Sequence, residues 1–154
     1  MHKRRLLACL AALLVAPAWS SHALPGKFDP ERDAAADVRQ AVTLAQGQGK
    51  MVLVDVGGEW CTWCHIFDRF VASRPEVRKA LQEHYILVKV NYSPQNRNEQ
   101  LLSRWPKAKG YPHFYVLDGG GMVVASQPSG EIESGKDYDE AKVLAFLRRH
   151  RAGQ

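Results

Sequence analysis

Two cysteines separated by two residues are the feature of this sequence best suited to chemistry. Cys61 and Cys64 lie in the stretch GGEWCTWCHIFD, residues 57–68, and His65 follows them directly. Three kinds of site use such a spacing. They are a redox dithiol, a c-type haem attached through CxxCH, and a metal site built from thiolates and imidazoles.

A structural disulfide explains this spacing poorly. The constraint that a disulfide places on the unfolded chain grows with the length of the loop that it closes. A bridge between Cys61 and Cys64 closes almost no loop, so it stabilises little. The spacing therefore favours a reactive pair over a covalent staple.

The first 23 residues have the pattern of an export signal. MHKRR is basic, LLACLAALLVAPAW is apolar but too short to span a bilayer as an anchor helix, and Ser21-His22-Ala23 is a small-x-small cleavage site. We predict a signal peptide over residues 1–23 and a single mature domain over residues 24–154. Cleavage after Ala18 is the alternative.

Removal of this segment changes the charge and the cysteine count. It takes away three basic residues and no acidic one, which leaves 18 basic against 16 acidic residues and a net charge of +2. A nearly neutral chain gives no indication of nucleic-acid binding. Cys9 is also removed, so Cys61 and Cys64 become the only cysteines of the mature chain.

The first half of the mature chain predicts two helical regions around a buried strand. Asp29-Pro30 reads as the N-cap and first position of a helix. MVLVDV, residues 51–56, is an apolar and β-branched run typical of a strand covered on both faces. A helix is expected from Cys61 to about Val71, and Ser73-Arg74-Pro75-Glu76 predicts a capping box that opens another helical stretch.

The second half predicts three more strands. YILVKV, residues 85–90, is one; YPHFYVLD (111–118) and MVVAS (122–126) are two more, joined by a glycine-rich hairpin turn. A short helix is expected at Glu99–Arg104, and a last helix begins within residues 137–140. This order predicts an α/β fold with a mixed sheet of about four strands flanked by helices.

The dithiol occupies a particular place in this order, directly after a buried strand and at the start of a helix. Unpaired N–H groups and the helix dipole favour a thiolate at that position. Cys61 is therefore the candidate nucleophile. Cys64, one turn further along the helix, can resolve a mixed disulfide formed on Cys61.

Several of these segments resemble the thioredoxin superfamily. VDVGGEWCTWC resembles its active-site segment, and GYPHFYVLD followed by GGGMVV resembles its cis-proline strand and hairpin. The whole mature chain is most similar to exported thioredoxin-like thiol:disulfide interchange proteins. The resemblance implies a thioredoxin-like domain over residues 24–154 with thiol:disulfide oxidoreductase activity.

The resemblance also implies catalytic roles for particular residues. Cys61 and Cys64 match the nucleophilic and resolving cysteines of the family. Asp55 stands six positions before Cys61, where thioredoxins place a buried acid that helps to deprotonate the resolving thiol. Burial would raise the pKa of Asp55, as a proton carrier requires.

Residues on either side of the dithiol are expected to bind substrate. Pro112 matches the cis-proline that faces the dithiol, and Tyr111 occupies the position whose backbone pairs with an extended substrate segment. Trp60 matches the aromatic residue that flanks the active site. The expected substrate-binding residues are Trp60, Thr62, Trp63, Tyr111 and Pro112.

Some positions depart from the thioredoxin pattern. Thr62-Trp63 replaces Gly-Pro between the cysteines, and this pair influences the redox poise, so the direction of exchange stays open. His65 stands where many thioredoxins have Lys, and we expect a surface histidine there. Tyr111 is bulkier than the usual Thr. Glu59 is expected to be a solvated loop charge.

Haem attachment and metal binding remain as rival interpretations. In the haem interpretation Met122 would be the distal ligand, but small c-type cytochromes are helical, whereas this motif follows a strand in a chain with at least four. For a metal site, His113 would join the cysteines and His65, yet no second CxxC or HxxxH completes a zinc pattern. We expect no metal and no other cofactor.

These observations predict a monomeric periplasmic thiol:disulfide oxidoreductase. Its expected partners are cysteine-containing exported proteins and a membrane thiol-disulfide electron donor, with no nucleic acid. A non-catalytic binding module with the same fold is the remaining alternative.

Overall fold

The computed structural model describes residues 23–153. The export signal predicted over residues 1–23 lies, except for Ala23, outside the described residues. None of the helices within residues 23–153 combines the length and the apolar character needed to cross a membrane.

The described residues form five α-helices and six β-strands. The helices are α1 (Ala34–Gln48), α2 (Thr62–Ser73), α3 (Pro75–His84), α4 (Glu99–Leu102) and α5 (Glu140–Arg149). The strands are β1 (Met51–Gly57), β2 (Tyr85–Asn91), β3 (His113–Leu117), β4 (Val123–Pro128), β5 (Glu133–Ser134) and β6 (Asp137–Tyr138).

Four of the strands form one mixed sheet with the order β2-β1-β3-β4. β1 runs parallel to β2 and antiparallel to β3, and β3 pairs with β4 in the predicted hairpin. The prediction of an α/β fold with a mixed four-stranded sheet flanked by helices is confirmed.

The central strand β1 divides the core between the two faces of the sheet. Because successive side chains of a strand point to opposite faces, Val52, Val54 and Val56 contribute to the core on the α1 side. Leu53 belongs to the other core, with residues of α2, α3 and α5. Asp55 comes two residues after Leu53, so its side chain points to the same face of the sheet, which is the face covered by α2.

The start of α1 differs from the prediction. The helix begins at Ala34, and the side chain of Asp33 caps it by accepting a hydrogen bond from the Ala36 N–H at 2.9 Å. Asp29 instead accepts from the Glu31 N–H, within a turn that precedes the helix. Asp33, four residues after Asp29, therefore provides the N-cap that the prediction assigned to Asp29.

The predicted capping box at Ser73 was also wrong. Ser73 is the last residue of α2, and its hydroxyl donates to the Phe70 carbonyl at 3.0 Å. Arg74 is the N-cap of α3 and makes no side-chain capping bond, while Pro75 opens the helix as predicted. The serine hydroxyl is used by the preceding helix, so it does not cap the following one.

The chain between β4 and α5 contains a small hairpin that the sequence did not reveal. β5 and β6 pair antiparallel, with Glu133 opposite Tyr138. Asp137 therefore belongs to a strand, and Asp139 caps α5 by accepting from the Lys142 N–H at 3.0 Å. The hairpin places Tyr138 in the core beside α2.

Candidate active site

The two cysteines lie at the start of α2, just after the loop that follows β1. Cys61 is the N-cap residue of α2, and its sulfur accepts a hydrogen bond from the Cys64 N–H at 3.2 Å. The cysteines are joined in a disulfide with their Cα atoms 5.3 Å apart. Cys61 is 3% exposed and Cys64 is fully buried. The helix amides thus face the first sulfur, which stabilises a thiolate when the bond is reduced.

The last residue of β1 lies directly against the second sulfur. A Cβ atom added to Gly57 would collide with the Cys64 sulfur and would lie 3.2 Å from the ring of Phe28. Phe28 is 1% exposed and forms a buried cluster with Cys61 and Cys64. Only glycine allows the strand to approach the disulfide this closely.

Asp55 is a fully buried carboxylate two residues before Gly57. The parallel register places Lys89 of β2 opposite it, and the Lys89 ammonium donates to Asp55 Oδ2 at 2.9 Å. Asp55 Oδ1 has no hydrogen-bond partner among the described residues. One oxygen of Asp55 is therefore paired with a cation. The other has lost its hydrogen bonds to water on burial, and no hydrogen bond from the described residues replaces them.

Lys89 connects this carboxylate to the protein surface. Its ammonium also donates to Asp68 Oδ1 at 2.7 Å, and the Asp68 side chain is 44% exposed on α2. The same ammonium lies 4.2 Å from the centre of the Phe28 ring. Asp55, Lys89 and Asp68 form a charged triad that runs from the core to solvent.

Burial and charge act in opposite directions on the pKa of Asp55. Loss of water raises the pKa, the Lys89 ammonium lowers it, and the net result is a pKa raised to about 6. Burial acts to lower the pKa of Lys89, but Asp55 and Asp68 outweigh it and the pKa is raised. Lys89 therefore stays charged at neutral pH, where Asp55 can gain and lose a proton.

Tyr111 and Pro112 reach the same end of the sheet from the loop before β3. Their peptide bond is cis. His113, the next residue, pairs with Val56 of β1, so Pro112 lies beside the strand end that leads to the dithiol. The Tyr111 side chain packs against the cluster of Phe28 and the two cysteines.

Aromatic side chains surround the entrance to this region. Trp60 is 55% exposed, and its indole N–H donates to the Tyr92 carbonyl at 2.8 Å. Tyr111 stacks on Tyr92, with ring centres 4.7 Å apart, and meets Trp60 edge-on at 5.7 Å. A cleft of about 490 Å³ adjoins Trp60 and is lined also by Tyr92, Ser93, Pro94, Gln95 and Arg97.

The two residues between the cysteines have different environments. Thr62 is exposed on the first turn of α2. Trp63 is half-buried, and its ring meets Tyr138 edge-on at 5.6 Å. The Tyr138 hydroxyl donates to the Trp63 carbonyl at 3.2 Å. Through this hydrogen bond the β5–β6 hairpin, which lies outside the CxxC motif in sequence, contacts the backbone between the two cysteines.

His65 and Glu59 interact with each other beside the dithiol. His65 Nε2 lies 2.8 Å from the Glu59 carbonyl oxygen, to which it donates, and the ring is partly exposed. We expected Glu59 to be a solvated loop charge, but its carboxylate also makes a tertiary contact. Its Oε1 accepts a hydrogen bond from the Phe28 N–H at 3.0 Å. It ties the N-terminal segment to the loop that carries the cysteines.

The comparisons with known proteins agree with this geometry. A family profile described as thioredoxin-like matches residues 33–119, which is more than half of the chain. The chain belongs to the thioredoxin-like family. The matched range contains β1, the dithiol, Tyr111-Pro112 and β3.

Relatives of this thioredoxin-like protein include longer proteins. The thiol:disulfide interchange protein DsbD of Tatumella citrea is 28% identical over 156 residues, which cover 96% of this chain and 25% of the relative. In Escherichia coli K12, DsbD is 30% identical over 104 residues, which cover 68% of this chain and 16% of the relative. The chain thus spans a quarter or less of the length of these curated relatives.

Solved structures share the fold. A disulphide isomerase from Xylella fastidiosa Temecula1 aligns with a TM-score of 0.66 and 22% identity, covering 82% of this chain and 96% of that one. A thioredoxin from Thermus thermophilus aligns with a TM-score of 0.52 and 27% identity, covering 72% and 81%. These similarities confirm the thioredoxin-like fold.

The rival haem interpretation meets a geometric obstacle in this thioredoxin-like protein. β3 pairs Leu117 with Val52 at the start of β1, and Met122 follows in the hairpin turn. Met122 is therefore at the opposite end of the sheet from Cys64 and does not lie where a distal ligand would be needed.

The proposed metal ligand His113 is also occupied elsewhere. It is buried, with Nε2 2.8 Å from the Ser126 hydroxyl, and Nδ1 accepts from the Lys109 N–H at 3.4 Å. Within residues 23–153 no group of three or more His, Cys, Asp or Glu side chains is arranged to hold a metal ion.

Sequence reasoning missed four residues of the thioredoxin-like site: Phe28, Asp68, Lys89 and Tyr138. Lys89 had a detectable signal, because a lone charge inside the apolar strand YILVKV calls for a buried partner. Phe28 and Tyr138 are single aromatic residues far from the motif in sequence, and no local pattern assigns them to it.

Proposed function

We propose that this protein is a thiol:disulfide oxidoreductase that exchanges disulfides with exported proteins through Cys61 and Cys64. The observation that carries the proposal is the placement of a CxxC disulfide at the N-terminus of α2, beside a buried carboxylate of raised pKa. The family membership and the names of the relatives support it.

In the reductive direction the reaction begins at Cys61. Its thiolate attacks one sulfur of a substrate disulfide, the substrate S–S bond breaks, and a mixed disulfide forms between Cys61 and the substrate. The first substrate sulfur leaves as a thiolate and takes up a proton. The amides at the start of α2 lower the energy of the attacking thiolate.

The second step releases the substrate. Cys64 loses its proton to Asp55 and attacks the Cys61 sulfur, so the Cys61–Cys64 disulfide forms and the second substrate thiolate leaves. Two electrons have passed from the protein to the substrate. A carboxylate with a pKa of about 6 accepts a thiol proton better than an ordinary aspartate. Lys89 keeps its charge beside Asp55 throughout.

The substrate segment would bind beside the dithiol. We assign this role to the backbone of Tyr111, with Pro112 facing the sulfurs and with Trp60, Thr62 and Trp63 contributing the surrounding surface. Trp60 and Thr62 are exposed, as a docking surface requires, and the cleft beside Trp60 gives space for a substrate side chain.

We place the reaction in the periplasm, after cleavage of residues 1–23. The basic and apolar segments followed by Ser21-His22-Ala23 support export. The partners are cysteine-containing exported proteins and, for electrons, a membrane thiol-disulfide donor. The mature protein acts as a monomer.

The direction of exchange is decided by the redox potential of the Cys61/Cys64 pair. Equilibration with glutathione or dithiothreitol buffers measures it. A value near about −270 mV would indicate a reductant, and one near about −120 mV an oxidant.

Paired cysteine variants test the mechanism. The wild-type protein is expected to accelerate insulin reduction by dithiothreitol, and Cys61→Ser to lose this acceleration. Cys64→Ser keeps the nucleophile and is expected to accumulate a mixed disulfide on a non-reducing gel. Full activity of Cys61→Ser would contradict the proposal, and an inactive wild type would favour the non-catalytic binding module.

A further inference from the structure

Phe28 is a buried aromatic residue from the segment before α1. It is 1% exposed, and it packs with Cys61 and Cys64 in a cluster separate from the two cores that flank the sheet. Its ring would lie 3.2 Å and 3.3 Å from a Cβ atom at Gly57, so it covers the strand end beside the Cys64 sulfur.

The same ring contacts the charged triad. The Lys89 ammonium lies 4.2 Å from the ring centre and donates to both Asp55 and Asp68. A cation above an aromatic ring is attracted by its quadrupole, and the attraction strengthens where water is excluded. Phe28 therefore adjoins both the resolving cysteine and the cation that is paired with Asp55.

The position of Phe28 is fixed from the active-site loop itself. Its backbone N–H donates to the carboxylate of Glu59, two residues before Cys61. A second bond anchors the same segment, since the Asn96 side-chain amide donates to the Pro30 carbonyl at 2.9 Å. Two tertiary bonds thus hold a short segment that has no regular secondary structure at Phe28.

We propose that Phe28, whose backbone N–H is held by Glu59, is a positioning residue whose ring keeps water away from the resolving thiol of Cys64 and from Asp55. This role presupposes the exchange reaction proposed above. The ring acts on the environment of the proton acceptor and takes no part in bond making. Without it, water would reach Asp55 and solvate its charged form.

Several other groups face Asp55 and must stay unchanged for this effect to be measured. They are the Lys89 ammonium on β2, the Asp68 carboxylate on α2 and the Tyr138 hydroxyl on β6. Replacement of Phe28 alters none of these side chains. A fall in the pKa of Asp55 would therefore report the entry of water, because a weakened hold on Lys89 would raise that pKa.

Titration of Asp55 in Phe28→Ala tests the inference directly. The side-chain carboxyl carbon of Asp55 is followed by NMR against pH in the oxidised protein, in which neither cysteine titrates. We expect its pKa to fall from about 6 toward the ordinary value of 3.8. Phe146→Leu is the control, because it also truncates a buried phenylalanine but outside the dithiol cluster. It should destabilise the fold and leave the pKa of Asp55 unchanged.

Alkylation of Cys64 gives a second readout. In a Cys61→Ser background Cys64 is the only thiol of the mature chain, and Phe28→Ala should raise its rate of reaction with iodoacetamide several-fold. Glu59→Ala keeps the ring and releases its anchor, so a smaller increase is expected. If Phe28→Ala does not fold, the alkylation rate of Glu59→Ala tests the inference in its place.

Two results would overturn the inference. One is a folded Phe28→Ala protein with an unchanged Asp55 pKa and an unchanged Cys64 alkylation rate. The other is an unfolded Phe28→Ala protein together with a Glu59→Ala protein that alkylates at the wild-type rate. Neither measurement needs turnover, so failure here is distinguishable from failure of the insulin assay.

Discussion

The Asp55 carboxylate shows how a single residue can be both costly to the fold and suited to its chemistry. It is fully buried, and only one of its oxygens has a hydrogen-bond partner among the described residues. The resulting rise of its pKa means that Asp55 takes up and releases a proton near neutral pH. An exposed aspartate would be a weaker base.

This residue should make the stability of the protein depend on pH. Because its pKa is raised on folding from 3.8 to about 6, the stabilising effect of the proton is present below pH 3.8 and is lost as pH rises through 6. The loss amounts to at most about 3 kcal/mol. Asp55→Asn does not titrate, so its stability relative to wild type should increase from pH 4 to pH 8, as measured by urea denaturation of the oxidised proteins.

The control for this measurement is Glu83→Gln, which removes an exposed carboxylate. Its stability relative to wild type should be nearly the same at the two pH values. A relative stability of Asp55→Asn that stayed constant or decreased with rising pH would contradict the raised pKa.

Lys89 should hold the pKa of Asp55 down against the effect of burial. Its ammonium favours the charged carboxylate across a 2.9 Å contact. Lys89→Met keeps the apolar stem and removes the charge, so the pKa of Asp55 should rise above 6 in an NMR titration. Lys79→Met removes an exposed lysine of α3 and should leave that pKa unchanged. A fall of the Asp55 pKa in Lys89→Met would disprove this account.

The sequence predicts those residues of the site that belong to local motifs. Cys61 and Cys64 are identified by spacing, and Asp55 and Tyr111-Pro112 by their resemblance to a family pattern. Lys89 could not be assigned to Asp55 before the register of β1 and β2 was known, since the pairing joins residues 34 positions apart. Tertiary contacts of this kind leave no periodicity in the chain.

Among the elements, the strands were easier to predict than the helix ends. β1 and β2 are apolar runs bounded by polar residues and are buried as expected. The start of α1 was placed too early, because Asp33 competes as the cap with the earlier Asp29. The start of α5 at Glu140 lies at the end of the predicted range 137–140. The strands β5 and β6 have two residues each, which is too short for an alternating pattern to be visible.

The end of β1 gives a prediction about packing between elements. A methyl group at Gly57 would overlap the Cys64 sulfur and press on the Phe28 ring, so one of them must move. Overpacking of this kind costs about 1–3 kcal/mol. Gly57→Ala should therefore lower the midpoint of thermal unfolding of the oxidised protein.

Gly47 in α1 is the matched control for this substitution. A Cβ atom there meets nothing within 4 Å, and alanine is a better helix former than glycine by about 0.5–1 kcal/mol. Gly47→Ala should leave the midpoint unchanged or raise it. If the two variants unfolded at the same temperature, the close contact between Gly57 and Cys64 would be refuted.

At the scale of the whole molecule, the chemistry is concentrated at one end of the sheet. The loop after β1, the start of α2, the segment before α1 and the turn before β3 all meet there, and the β3–β4 hairpin closes the opposite end. With residues 1–23 removed, the chain carries little net charge and no third cysteine. A single dithiol free of competing thiols suits exchange in an oxidising compartment.

The proposed export requires removal of residues 1–23, which gives the last prediction. Expressed in a bacterium, the chain should be cleaved to a mature form that begins near Leu24, as measured by intact mass, and that titrates two thiols after reduction in place of three. Replacing Arg4 and Arg5 by Glu reverses the charge of the basic segment and should leave uncleaved precursor in the cell. Replacing Arg148 and Arg149 by Glu makes the same change of charge at the other end of the chain and should not affect cleavage. An uncleaved wild-type chain in the periplasmic fraction, still carrying Cys9, would contradict the signal peptide.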